Sequence, residues 1–389
     1  MISIGLEELV ANPPVWLRGK RLGLLCNQAS TDHHYRHSRE LVAQALPGQL
    51  TCIFSPQHGF FADRQDNMIE SAHTIDLLTG LPVFSLYGES RKPVAAMLDQ
   101  LDVLLIDLQD VGTRVYTFIW TMFYCLEAAA EQGKMVVILD RPNPIGGVLI
   151  EGNLLAADCH SFVGLRSIPM RHGLTMGELA RLFNDYYGIG AELAVIPMTG
   201  WQRGMNFRDT GFPWVFPSPN MPTPETALVY PGQVLWEGAN VSEGRGTCLP
   251  FELWGAPFIE HGRFEAALDL ADLAGCLLRS VAFEPTSNKF RGELCRGFHL
   301  LVTDPVSFRP YRTSLALLRT LLELYGEAGF AYKQPPYEYE YHKLPMDMIL
   351  GNTELRRGLE AGRSVAELEL GWQDELAEFD RLRREFMLY

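Results

Sequence analysis

Several short runs in the first half of the chain are apolar without interruption, and they constrain the fold more than any other feature. Residues 101–107, LDVLLID, are the clearest; 21–27 (RLGLLCN), 50–56 (LTCIFSP), 82–87 (PVFSLY), 135–140 (MVVILD) and 192–197 (ELAVIP) read the same way. A strand with one wet face alternates apolar and polar residues, whereas a strand apolar throughout is covered on both faces. Helical patterns lie between these runs, at 37–46, at 116–132 (closed by Gly133) and at 175–187. In the last of these Thr175 stands as N-cap with Glu178 three residues on, a capping box. Strands of this kind alternating with helices specify an α/β fold, a parallel sheet with helices on both faces.

The grammar changes after residue 200. Gly and Pro crowd residues 200–231, which are expected to be irregular, and a long ordered loop is more often functional than idle. A domain boundary is placed near its end, giving units 1–224 and 225–389. The second unit reads as a smaller α+β domain: helices at 263–274 and 313–324, a strand at 297–303, an aromatic stretch at 337–341 and a helical tail from 365. A length of 389 residues suits two such units. There is no internal repeat.

Charge narrows the partners. Lys and Arg total 33 against 47 Asp and Glu, for a net charge of −14, and no basic run interrupts this. Such a surface repels polyanions, so no nucleic-acid partner is expected. Residues 115–126, the most apolar helical stretch, are bounded by Arg114 and Glu127 and fall short of the roughly 20 residues needed to span a bilayer. No membrane insertion is expected. The opening residues meet Glu7 and Glu8 with no basic segment before them, which is unlike a signal peptide. The seven cysteines are scattered, odd in number and never in a CxxC pair, as suits a reducing compartment. A soluble, cytoplasmic protein is expected.

Ligands of open parallel sheets bind beyond the carboxyl ends of the strands. Those ends are polar here: Asn27-Gln28, Gln57-His58-Gly59, Asp107 with Gln109, Asp110 and Arg114, and Asp140-Arg141-Pro142-Asn143. Three further segments are too polar and Gly-rich for packing: Glu151-Gly152-Asn153, Arg171-His172-Gly173, and 237–246, which holds Glu237, Asn240, Glu243 and Arg245 among glycines. No GxGxxG, P-loop, HExxH or GxSxG motif is present. His33, His34 and His37 come closest to a metal spacing but sit in a polar loop; His58 and His172 are better placed, without a ligand pattern to prove it. No metal is expected. What remains is carboxylates, amides, arginines and aromatics such as Tyr116, the inventory of a carbohydrate site.

At this point a resemblance emerges. Pro56-Gln57-His58-Gly59, Ser85-Leu86-Tyr87-Gly88, Asp107-Leu108-Gln109-Asp110-Val111-Gly112, Leu139-Asp140-Arg141-Pro142-Asn143-Pro144, Pro169-Met170-Arg171-His172-Gly173, Pro217-Ser218-Pro219-Asn220-Met221-Pro222 and Asn240-Val241-Ser242-Glu243-Gly244-Arg245-Gly246 run in order over most of the chain. Together they resemble the bacterial exo-β-N-acetylmuramidase (NamZ-like) family, formerly a domain of unknown function. The resemblance implies a Rossmann-like first domain that binds no dinucleotide, a smaller second domain, and no cofactor. It implies hydrolytic release of N-acetylmuramic acid from the non-reducing end of peptidoglycan fragments, with a MurNAc–GlcNAc type substrate. In that family the second residue of P-x-H-G is commonly Glu, a leading candidate for the catalytic acid. Here it is Gln57, which neither gives nor takes a proton near neutrality.

Catalysis is therefore assigned to Glu243 or Glu70 as acid, with His58 adjacent and Asp107 or Asp110 as base or electrostatic partner. Arg141, Arg171 and Arg245 are candidates for the lactyl carboxylate, and Asn143, Asn220 and Asn240 for hydroxyls and the acetamido group. Gln57, Gln109, Arg114, Tyr116, Glu151, His172 and Glu237 complete the expected binding set. Two alternatives stand beside this one: a muramyl-sugar-binding protein that has lost hydrolysis, motivated by Gln57, and a metal-assisted hydrolase on the same cleft.

Overall fold

A computed structural model describes residues 2–389 apart from Asn67 and Ala328. In chain order the strands are β1 (Leu22–Cys26), β2 (Leu50–Ser55), β3 (Thr74–Ile75), β4 (Pro82–Ser85), β5 (Val103–Asp107) and β6 (Met135–Leu139), of which all but β3 were expected. A two-stranded ribbon, β7 (Glu151–Leu154) with β8 (Pro169–Arg171), precedes β9 (Glu192–Ile196). The main sheet has seven strands in the order β3-β4-β2-β1-β5-β6-β9 and is parallel except at β3, which pairs antiparallel with β4 at the exposed edge.

Successive side chains of a strand point to opposite faces, and both faces here are buried. Leu104 and Ile106 join Val136 and Ile138 in a core completed by Trp120 and Phe123 of the helix Phe118–Glu131. Val103 and Leu105 join Val137 and Leu139 on the other face, under Leu6 and Leu9 of helix Gly5–Ala11 and Leu41 and Val42 of helix Ser38–Ala45. The Thr175 capping box forms, with its hydroxyl accepting from the Glu178 amide and the Glu178 carboxylate accepting from the Thr175 amide, and it opens helix Met176–Arg181.

The second half builds an antiparallel sheet, β10 (Leu253–Ala256), β11 (Cys276–Phe283) and β12 (Cys295–Val302), in the order β10-β12-β11. Helices Pro310–Tyr325, Pro345–Leu350, Thr353–Glu360, Val365–Leu370 and Gln373–Arg384 follow. Trp236 and Trp254 stack at its centre, 5.0 Å between ring centroids. The larger core cluster runs without a break from Leu25 and Phe54 of the main sheet to Trp254, Leu317 and Phe386, so one apolar interior joins the two halves.

Three local expectations are corrected. Residues 200–231 are not irregular to the end: Thr223 caps a helix, Pro224–Gln233, whose Pro224 sits at the first turn where a missing N–H costs nothing. The helix expected at 263–274 is His261–Ala267 followed by a short 3-10 turn at Leu270–Leu273. Strand β11 was not anticipated; none of its residues is fully buried and its pattern lacks the continuous apolar signature of the central strands.

Candidate active site

The carboxyl edge of the sheet is mostly sealed. Asn27, after β1, donates to the Pro217 carbonyl at 2.8 Å. Asp107, at the end of β5, is fully buried and grips Arg141 through both carboxylate oxygens, at 2.6 and 2.9 Å. Asp140, after β6, accepts from the Thr175 and Tyr389 hydroxyls and the Gly177 amide. Burial, against those hydrogen bonds, raises its pKa to about 6. The crevice between β1 and β5, where a dinucleotide would lie, is thus occupied by the protein's own ion pair and by the 200–217 loop. Sequence expectation put Asp107 and Arg141 at a ligand; the structure uses each to satisfy the other.

The opening lies instead beyond β2. There a cleft is walled by Gln57, His58, Tyr116 and Thr117 from the first half and by Asn220, Glu237, Arg245, Tyr337 and Glu338 beyond it. A second chamber shares Glu237 and Arg245 and is lined further by Glu243, Asn288, Lys289 and Lys333.

Each wall has a physical reason. His58 sits in the left-handed region at φ 71°, with Gly59 following at 81°, so the chain turns sharply out of β2. Its Nδ1 donates to the Arg64 carbonyl at 2.7 Å, which leaves Nε2 as an acceptor. Burial, reinforced by the positive charge of Arg245, lowers its pKa to about 4. His58 is therefore neutral at pH 7. The Gln57 amide is oriented at both ends: its oxygen accepts from the Thr117 hydroxyl at 2.5 Å and its nitrogen donates to Glu338 at 3.0 Å. Glu338 also accepts from the Tyr87 hydroxyl at 2.7 Å.

Two glutamates thus face one cleft in different surroundings. Burial works against the charged form of Glu237, but Arg245 at 2.7 Å, the Tyr337 hydroxyl at 2.6 Å and Lys289 outweigh it and hold its pKa below the carboxylate range. Glu338 enters none of the ion pairs among the described residues, and burial, with the Glu237 charge nearby, raises its pKa despite the bonds from Tyr87 and Gln57.

Of the expected site residues, the fold brings Gln57, His58, Tyr116, Asn220, Glu237 and Arg245 to this cleft. Glu70 is not among the residues that wall it; it is exposed, 3.4 Å from the Tyr339 hydroxyl. Glu243 lies in the second chamber, paired with Arg245 at 3.1 Å and Lys289 at 2.8 Å. The others lie in the interior, apart from the half-buried Asn240. Arg114 is fully buried and donates to the carbonyls of Asn153, Ile168, Ile349 and Leu350, and burial lowers its pKa to about 10. Asp110 accepts from the Gly112 amide and approaches His172 at 3.3 Å. Gln109 donates to the Asp110 and Pro142 carbonyls, and Asn143 to Leu174. Arg171 donates to the Ile145 carbonyl, and burial lowers its pKa to about 10. Glu151 accepts from the Arg312 amide, and its burial raises its pKa to about 7. Asn240 ties Gly329 to Ala331.

Glu338, Tyr337 and Thr117 were missed. The aromatic stretch at 337–341 was visible, but nothing in its spacing ties it to Gln57 across 281 positions of chain. No cluster of three or more His, Cys, Asp or Glu able to hold a metal occurs among the described residues, and none of their helices is long and apolar enough to cross a membrane.

Fold and cleft together define a two-part α/β protein whose buried glutamates meet where the main sheet faces the second half. Residues 22–225 match the family described as exo-beta-N-acetylmuramidase NamZ, N-terminal, and residues 228–389 its C-terminal counterpart; the chain belongs to the NamZ family. It is 42% identical to the peptidoglycan beta-N-acetylmuramidase NamZ of Bacillus subtilis (strain 168), over 100% of this chain and 91% of that protein. A crystal structure of a DUF1343 family protein from Bacteroides fragilis NCTC 9343 superposes with a TM-score of 0.89 at 31% identity, covering 100% of this chain and 99% of that one. A second DUF1343 protein from the same organism gives a TM-score of 0.76 at 29% identity, with the same coverage.

Proposed function

We propose that this protein is an exo-acting β-N-acetylmuramidase that releases terminal N-acetylmuramic acid from the non-reducing end of peptidoglycan fragments, with a MurNAc–GlcNAc disaccharide as its minimal substrate. The observation that carries this reading is the pair of buried glutamates, Glu237 and Glu338, facing one cleft in a chain of this family. Glycosidases work with two carboxyl groups whose environments set them to different protonation states. The terminal sugar would sit between Tyr116, His58 and Asn220, whose polar atoms suit hydroxyls and an acetamido group. The lactyl carboxylate would face Arg245 and Lys333, with Lys333 at the outer end of the second chamber. With the unit boundary taken near residue 224, walls of the cleft would come from both units, so neither would be active alone. The scattered thiols favour the cytoplasm, where the substrate would be an imported wall fragment.

The purified protein incubated with MurNAc–GlcNAc should yield free MurNAc and GlcNAc by mass spectrometry. Saturable calorimetric binding of the disaccharide without release would replace this reading with that of a sugar-binding protein, for which Gln57 is the motivating residue.

A further inference from the structure

We propose that Glu338 is the proton donor to the leaving glycosidic oxygen in this chain, and that Gln57 positions it rather than acting on the sugar. The proposal rests on the muramidase reading and assigns the acid that Gln57 cannot be. Glu338 lines the cleft, is 4% exposed, and has Gln57 on one carboxylate oxygen and Tyr87 on the other. Each carboxyl oxygen has two lone-pair directions, so one remains on each for a proton or a substrate atom.

With Thr117 donating to its oxygen, the Gln57 amide turns its nitrogen toward Glu338. A glutamate at position 57 would put a second carboxylate 3.0 Å from Glu338. Two carboxyl groups that close share a proton. Glutamine removes the competition and leaves Glu338 as the titrating group at that wall.

The backbone supplies an independent argument. Tyr337 and Glu340 bridge across a tight turn whose central residues, Glu338 and Tyr339, are both left-handed, at φ 47° and 64°. Turns of this shape favour Gly and Asn, and other side chains held there carry backbone strain. Such strain persists where the surroundings hold it. Here Tyr337 bonds to Glu237, and Arg91 stacks 4.0 Å from the Tyr339 ring centroid. The strained turn holds Glu338 in the wall of the cleft that Glu237 also lines.

In the step itself the C1–O bond breaks and its electron pair stays on the leaving oxygen. That oxygen takes the proton of Glu338, releasing the remaining sugar as an alcohol. Water adds to C1, and the proton it loses restores the Glu338 acid, directly or through solvent.

The test compares two substrates. MurNAc–GlcNAc has a poor leaving group that needs a proton, whereas 4-nitrophenyl β-MurNAc has one that leaves without it. Glu338→Gln should lose about 10²–10⁴-fold in kcat on the disaccharide, with the basic limb of its pH profile abolished, and no more than about tenfold on the nitrophenyl substrate. That retained turnover also shows that the variant folds. Equal losses on both substrates, or no loss on the disaccharide, would overturn the assignment. If Glu338→Gln does not fold, Tyr87→Phe serves: it removes a donor to the carboxylate, so the basic limb on the disaccharide should move to higher pH, and an unmoved limb overturns the proposal. A native enzyme that cleaves neither substrate fails at the muramidase reading itself and takes the acid assignment with it.

Discussion

Asp107 and Arg141 illustrate how one residue's environment decides its role. Both stand at the carboxyl edge of a parallel sheet, and both are buried in a two-pronged ion pair. Removing one partner strands a buried charge, so Arg141→Ala should lower stability by about 3–5 kcal/mol, measured by urea unfolding. A large fall in kcat/KM in the surviving folded fraction would instead return Arg141 to the substrate. His37 makes a second prediction at this scale. Its Nδ1 accepts from the Arg39 amide while its Nε2 donates to the Asn27 carbonyl, an arrangement only the neutral ring can make. Burial lowers its pKa from 6.5 to about 4. Between those values the unfolded chain binds the extra proton, so stability present above pH 6.5 is lost progressively as pH falls toward 4. Denaturation midpoints across that range should fall less steeply in His37→Asn, which caps without titrating.

Among the elements, the helix Pro224–Gln233 shows packing deciding what composition obscured. Pro and Gly between 200 and 231 read as loop, yet Thr223 and Pro224 open a helix whose other end lies against Pro310–Tyr325. Gly232 permits that approach: a Cβ there would stand 2.0 Å from the Pro310 carbonyl oxygen. Gly232→Ala should destabilise by about 1–3 kcal/mol through overpacking, seen as a lower Tm, although alanine is the better helix former. The Thr175 box belongs to the same scale and was legible, because capping is a local pattern of residue types. Thr175→Ala removes the cap and a hydrogen bond to buried Asp140, and chemical denaturation should show a cost of about 1–2 kcal/mol.

For the whole molecule, the continuous interior is the governing fact. The larger core runs from the main sheet into the terminal helices, and Arg114 crosses the same seam to the carbonyls of Ile349 and Leu350. Calorimetry should therefore record one cooperative transition, and Arg114→Met should lower its midpoint because four carbonyls lose their donor. Two separated transitions in the native chain would contradict this account.

The apolar runs by themselves determined the parallel, double-faced sheet, because burial on both faces leaves a mark in every strand residue. The P-x-H-G turn and the Gly-rich 237–246 segment likewise singled out Gln57, His58, Glu237 and Arg245, which the fold gathers at one cleft. Only the tertiary structure decided which polar strand ends stay open. Polarity marks a residue that needs a partner, but whether a carbonyl, an ion pair or a sugar provides it depends on what the chain brings back to it. Asp107 met Arg141 and Arg114 met backbone carbonyls, while Gln57 met Glu338 from the far end of the sequence.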